Sequence, residues 1–425
     1  MPMWATVAPP AARLRRLRSF RQPPMNCFTL ATLDELRRNA AAWDDLWQRS
    51  EVTQPTARAE LIALWFDHFA PASAFRAVVV ERDGRFVAAL PLVSRHWAGV
   101  IGVGQLPGNA WSAAGDLLLD PATDEHATFD CLLDALRDLP WPLLRCDEIE
   151  MDAGRWRKLV AALRRRQIAY DLRADYEVGR LFLGDAAAIR AGWARKHRQR
   201  MAALGRRLDA RGAALVSLRA PTPDEAERLL REAAAIEDRS WKGAAGTSML
   251  RSPGTIDFFA RQARRLAEWG QLDLEFLVLD GRKVAFSYAM AAKGVLHIVK
   301  SGYDPAAAEF SPGQALRCRL IERCLAEASY TAIDFLGPIT AAHAAWRPAR
   351  YRLARLLVNL GGPLGRAALL AARLRARWRR RAAIGATTSS AAASNAHDDG
   401  SGTSTASTAI SATTARVTSV AKAKS

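Results

Sequence analysis

Apolar residues crowd both sides of two Asp-Gly pairs. Phe75–Val93 (FRAVVVERDGRFVAALPLV) and Leu272–Met290 (LDLEFLVLDGRKVAFSYAM) each hold an apolar run, an Asp-Gly turn followed by Arg, and a second apolar run. That order predicts a β-hairpin, because Asp and Gly tolerate the positive φ a tight turn needs. Before each hairpin lies a stretch with helical spacing and aromatic anchors, RAELIALWFDHF (58–69) and TIDFFARQARRLAEW (255–269). After each come a strand, a helix and a strand. These are GDLLLD, ATFDCLLDALRDL and RCDEIEMD in the first copy, and GVLHIVKSGYD, a helix beginning after Ser311 and TAIDFLGP in the second. The pattern predicts an α/β (α+β) architecture built twice, each copy a mixed sheet with helices on both faces.

Composition refines this organisation. Half of the 425 residues are hydrophobic, enough for two or three domains with real cores. The formal charge is +18, yet residues 1–26 hold five Arg and no acid, and residues 352–381 hold nine Arg and no acid. Residues 27–351 are therefore nearly neutral, which counts against a nucleic-acid-binding core and assigns the basicity to flanking arms. We expect a basic flexible arm over 1–26, domains over 27–178 and 179–350, a basic amphipathic helical segment over 351–381, and a disordered Ala/Ser/Thr tail over 382–425. Five Cys without CxxC spacing fit a reducing compartment, and no apolar run reaches 18 residues. The expected location is cytoplasmic, with the basic flanks available for the anionic inner face of a membrane.

The two copies differ at one helix. In the first, Asp120, Asp124 and Glu125 surround its start; in the second, the start reads Ser311-Pro312-Gly313-Gln314-Ala315, with no acid between Glu309 and Glu322 and with Arg317 and Arg319 close behind. Ser311, Pro312 and Gln314 predict a capping box, and Gly313 removes the side chain that would obstruct an anion. A helix N-terminus with unpaired N–H groups and partial positive charge then suits a phosphate. No GxxxxGK[ST] and no GxGxxG occurs, which leaves a smaller phosphate-bearing donor, with coenzyme A the natural candidate. Seven His without HxxxH or HExxH spacing point to no metal.

The runs GRLFLG…WARKHRQRMAALGRRL, EAAAIEDRSWKGAAGTSM, FLVLDGRKVAFSYAM, HIVKSGYDPAAAEFSPGQAL and AIDFLGP resemble, in order and spacing, the GNAT-type acetyltransferase domain of the CelD-like family. That family is linked to cellulose and exopolysaccharide biosynthesis and is related in fold to Fem-type aminoacyltransferases. The resemblance implies tandem GNAT-like folds and acyl transfer from acetyl-CoA or another acyl-CoA to a sugar or polysaccharide precursor, with the donor on the second copy. It leaves open two other roles: aminoacyl transfer from charged tRNA, and an inactive scaffold in a polysaccharide-synthesis complex. One departure stands out. Where the family follows DFLG with Tyr-Lys before a Trp, this chain has PITAAHAAW, with His343 and Trp346.

Direct attack of an amine or hydroxyl on a thioester needs a base, a donor to the carbonyl oxygen and alignment of both substrates. Glu237 and Asp334 are the candidate bases; the bland alternatives are a solvated helix charge and a loop cap. By the resemblance, backbone groups from Val299 to Ser301 polarise the carbonyl. Ser311, Pro312, Gly313, Gln314 and Ala315 are the expected donor-binding residues, and Trp241, Lys242, Tyr303 and Trp346 the expected acceptor contacts.

Overall fold

The computed structural model describes residues 25–376 and 378, apart from residues 98 and 220. All but the last residues of the expected N-terminal arm, and the whole of the expected tail, lie outside the described residues. The described chain up to Leu369 forms one compact unit.

Its strands are β1 (Asn26–Leu30), β2 (Phe75–Arg82), β3 (Arg85–Trp97), β4 (Ile101–Gln105), β5 (Leu118–Leu119), β6 (Leu143–Glu150), β7 (Tyr170–Phe182), β8 (Ala214–Arg219), β9 (Leu272–Leu279), β10 (Arg282–Ala292), β11 (Val295–Tyr303), β12 (Ala332–Pro338) and β13 (Ala349–Asn359). They form one sheet in the order β1-β2-β3-β4-β6-β13-β7-β12-β11-β10-β9-β8, with β5 bridged to β3. Both expected hairpins are present. Asp83 and Gly84 have φ of 54° and 74°, and Asp280 and Gly281 have 50° and 72°, the positive values a tight turn requires.

The two halves repeat one pattern. β2-β3-β4 and β9-β10-β11 are antiparallel, and a parallel pair follows in each: β4 with β6, and β11 with β12. GDLLLD is not the third strand of the first copy, as expected. Ile101–Gln105 takes that place, and Leu118–Leu119 contributes only a two-residue pairing to Ala88 and Ala89.

Between the halves the chain exchanges strands. β7 follows the first half but pairs with β12 of the second, while β13 follows the second half but pairs with β6 of the first. β7 and β13 then pair with each other from Ala349↔Arg180 to Val358↔Tyr170. The expected boundary at 178/179 thus falls inside β7. Residues 351–359, expected as the start of an amphipathic helix, are strand. Their leucines sit between two neighbouring strands, and a register shift at Leu353/Ala354 breaks the two-residue alternation that would have marked them.

One apolar cluster spans both halves. Helices Ala40–Arg49 and Ala59–Phe69 pack with Pro223–Arg239 and Thr255–Glu268, and Phe69 meets Phe258 at 4.8 Å between ring centres. Lys293, in the β10–β11 turn, donates to the carbonyls of Trp47, Ser50 and Val52 at the end of helix Ala40–Arg49. The opposite face of the second half is covered by helices Arg195–Asp209 and Pro312–Glu327.

Candidate functional site

β10 pairs with β11 in register at Tyr288↔Lys300 and again at Ala289↔Ile298, so Val299 is an extra, unpaired residue. A bulge of this kind bends the strand and re-aims its groups. On the other side, β11 pairs with β12 only from Val295↔Ala332 to His297↔Asp334. Beyond that point the two strands no longer pair with each other, as far as Tyr303 and Pro338. The N-terminus of helix Pro312–Glu327 lies at a cavity of ≈ 380 Å³ bordered by β11.

Seven of the expected residues border this cavity: Trp241, Lys242, Ser301, Tyr303, Ser311, Gly313 and Gln314. Six do not. The Val299 side chain packs on the opposite face of the sheet, and Pro312 and Ala315 are buried in the protein, so these three offer backbone only. Trp346, expected to touch the acceptor, is fully buried; it meets Trp193 edge-on at 5.0 Å and His197 at 4.5 Å. This is core packing.

Glu237 is fully buried behind Lys242. Its Oε1 accepts from Lys242 Nζ at 2.8 Å and its Oε2 from the Met249 N–H at 2.9 Å, with Lys300 Nζ 3.8 Å away. Burial pulls the Lys300 ammonium down to about 8, although Glu237 opposes the change. Lys242 Nζ also lies 3.4 Å from the Ser301 carbonyl. Of the two readings of Glu237, the solvated helix charge is excluded; burial is tolerated because both oxygens are paired.

Asp334 is also fully buried and does not border the cavity. Arg180 Nε donates to it at 2.8 Å, the Tyr351 hydroxyl at 3.0 Å and the Leu336 N–H at 2.9 Å. It joins β12, β7 and β13. Proximity to Asp334, after burial, pushes the Tyr351 phenol well above its ordinary range.

The helix start differs from the expected capping box. Ser311 is left-handed (φ 43°, ψ 54°) and its side chain caps nothing; the Gln314 and Ala315 N–H groups return instead to the Ser311 carbonyl. The short 3-10 helix Pro305–Phe310 leads straight into Ser311, and the turn this imposes overrides the cap. Gln314 Oε1 is left buried without a partner. A Cβ built on Gly313 would lie 3.4 Å from Tyr303 Cδ1, in a backbone conformation open to any residue, so the glycine is there for space and not for φ.

Two further residues belong to the site. Ser287 is 4% exposed, borders the cavity, and its Oγ has no hydrogen-bond partner. Its place inside an apolar strand gave no signal. Arg317 borders the cavity one turn after Gly313, with its guanidinium over the Phe335 ring at 5.7 Å and no ion pair to any described acid. Burial lowers it to about 10, so it stays a cation at neutral pH. Arg319, by contrast, is spent on Asp209 and the Ala213 carbonyl. His343, where the family pattern has another residue, stacks on Phe335; burial and then Arg317 bring it down to about 4, which keeps it neutral. Among the described residues no acid borders the cavity, while Lys242 and Arg317 both do. A second recess, lined by Lys196, His197, Arg200 and Arg347, lies across the short helix Ala341–Ala344: Ala342 borders the cavity and Ala344 the recess.

Residues 195–351 match the family model of the acetyltransferase (GNAT) domain. No curated protein matches the chain. Among solved structures, the chain is similar to FemX (TM-score 0.52, 11% identity, 75% of this chain and 95% of that one). It is more loosely similar to L-PGS from Bacillus licheniformis (0.46, 15%, 79% and 96%) and to a tandem GNAT protein from the clavulanic acid biosynthesis pathway (0.44, 15%, 80% and 99%). The match to the GNAT domain model thus falls within the second half, and the fold is shared with FemX over nearly that protein's whole length.

Proposed function

We propose that the chain transfers an acyl group from a phosphate-bearing thioester carrier, of which acetyl-CoA is the first candidate, to an amine or hydroxyl of a sugar or polysaccharide precursor. The observation that carries this reading is Arg317: a half-buried cation that pairs with no described acid, beside the uncapped start of a helix, in a cavity that no described acid borders. A helix terminus alone contributes about 0.3–1 kcal/mol toward an anion, whereas a hydrogen bond to a charged group contributes about 1.5–3 kcal/mol. Arg317 is therefore the larger of the two effects. Ser287 Oγ and Gln314 Oε1, both unpartnered, supply polar contacts for the rest of the carrier.

In this reading the acceptor attacks the thioester carbonyl directly; a bond to the acyl carbon forms, the C–S bond breaks, and the proton shed by the acceptor balances the thiol released. Backbone groups near the Val299 bulge orient the carbonyl. Glu237 and Lys242 are the proton-handling pair, since Lys242 stands between the buried carboxylate and the cavity. Asp334 acts by position, holding β12 against β7. Trp241, 64% exposed at the mouth, is a flat apolar surface suited to a sugar ring.

Aminoacyl transfer from charged tRNA is the second reading, favoured by the recess whose cations are Lys196, Arg200 and Arg347, which suits a phosphodiester. A melting-shift panel of acyl-CoAs, free coenzyme A and charged tRNA separates the two. A shift with acyl-CoA that Gly313→Glu abolishes supports the first reading; a shift with charged tRNA alone replaces it with the second.

A further inference from the structure

Residues 362–376 are helical, and the helix carries exposed large apolar side chains. Ala368 and Leu369 are buried, Ala368 in a cluster with Val103 and Leu143. Leu364, Leu370, Leu374 and Trp378, however, are 62%, 57%, 54% and 72% exposed. At 3.6 residues per turn, all four fall within about a third of the helix circumference. Arg366 and Arg373 lie along one edge of this arc and Arg375 along the other, all exposed. Leu353, Leu356, Leu357 and Leu360 do not contribute, because they sit in the sheet or directly beside it.

We propose that the arc of Leu370, Leu374 and Trp378 is an interfacial anchor that lays this helix on an anionic lipid surface. An apolar stripe edged by arginines matches such a surface on both counts: leucine and tryptophan enter the headgroup boundary while guanidinium groups meet lipid phosphates. Charge argues against a second copy of the chain on the same face, since residues 366–381 bring seven Arg and no acid to any self-association. The rest of the chain is a poor cover as well. Residues 382–425 offer only Ile384, Ile410, Val417 and Val420 as large apolar side chains, widely spaced among Ala, Ser and Thr. No described helix is long and apolar enough to cross a membrane, so the contact is one of lying on the surface.

Co-sedimentation of the full chain with vesicles tests this, using phosphatidylcholine alone and phosphatidylcholine with about one-third phosphatidylglycerol. The protein is expected to sediment with the anionic vesicles and to come off them as salt rises. Leu370→Asp with Leu374→Asp should weaken the partition at least about tenfold at an unchanged melting temperature, and the fluorescence lost in Trp378→Phe should be the part that shifts to the blue on binding. Three results overturn the proposal: no sedimentation with anionic vesicles, equal sedimentation of the double Asp variant (arginines acting alone), or a concentration-dependent dimer that the double variant abolishes.

Discussion

Arg180 on β7 donates to Asp334 on β12 at 2.8 Å, and the same guanidinium reaches Glu150 on β6 at 3.3 Å, so one side chain ties three strands at the joint between the halves. Removing one partner of a buried ion pair costs about 3–5 kcal/mol; the second carboxylate on Arg180 moves the expectation to the low end. Asp334→Asn should lower stability by about 3 kcal/mol in denaturant unfolding while leaving acyl-CoA affinity within about twofold. Loss of affinity at unchanged stability would make Asp334 part of the site instead.

Gly313 separates stability from binding. Its backbone is not left-handed, so Gly313→Ala should stabilise the helix by up to about 1 kcal/mol. The new Cβ reaches van der Waals contact with Tyr303 at 3.4 Å and fills space at the helix start, so donor affinity should fall. Thermal melting and calorimetry on one preparation check both signs; a variant improved in both respects would contradict the spatial role of the glycine.

Two buried histidines make stability depend on pH in mild acid. Burial brings His297 down to about 4, and burial with Arg317 does the same for His343. The unfolded chain takes up these protons near the ordinary value of about 6.5. Between about 4 and 6.5 these two residues bind more protons in the unfolded state, so their contribution to stability falls as the pH is lowered, while Glu275, raised by burial to about 7, contributes with the opposite sign. His343→Phe, which keeps the ring on Phe335, should flatten part of the dependence of melting temperature on pH. An unchanged slope would mean that His343 is protonated in the folded state.

The hairpins and the duplication were legible because Asp-Gly turns and flanking apolar runs are local signals, and Asp83-Gly84 and Asp280-Gly281 have the backbone those residues favour. The site was legible in outline for the same reason: Ser311 to Gln314 and Trp241-Lys242 are short motifs. What escaped was non-local. Ser311 carries the chemistry of a cap, but the 3-10 helix feeding it decides its conformation. Asp334 reads as a lone acid, and nothing near it discloses Arg180, 154 residues earlier. β13 looked helical because Leu356, Leu357 and Val358 are buried in succession, on both faces of the strand, and a register shift further disturbs the alternation that betrays strands.

The donor site is tested most directly by isothermal titration of acetyl-CoA into the wild type and into Arg317→Ala. Arg317 has no ion-pair partner to orphan, so the variant should melt like the wild type. Saturable binding by the wild type, weakened at least about tenfold in the variant, is the expected result, since one charge-assisted contact is about 1.5–3 kcal/mol. No heat in either protein, or equal affinity in both, would contradict the assignment of this cavity to a phosphate-bearing thioester donor.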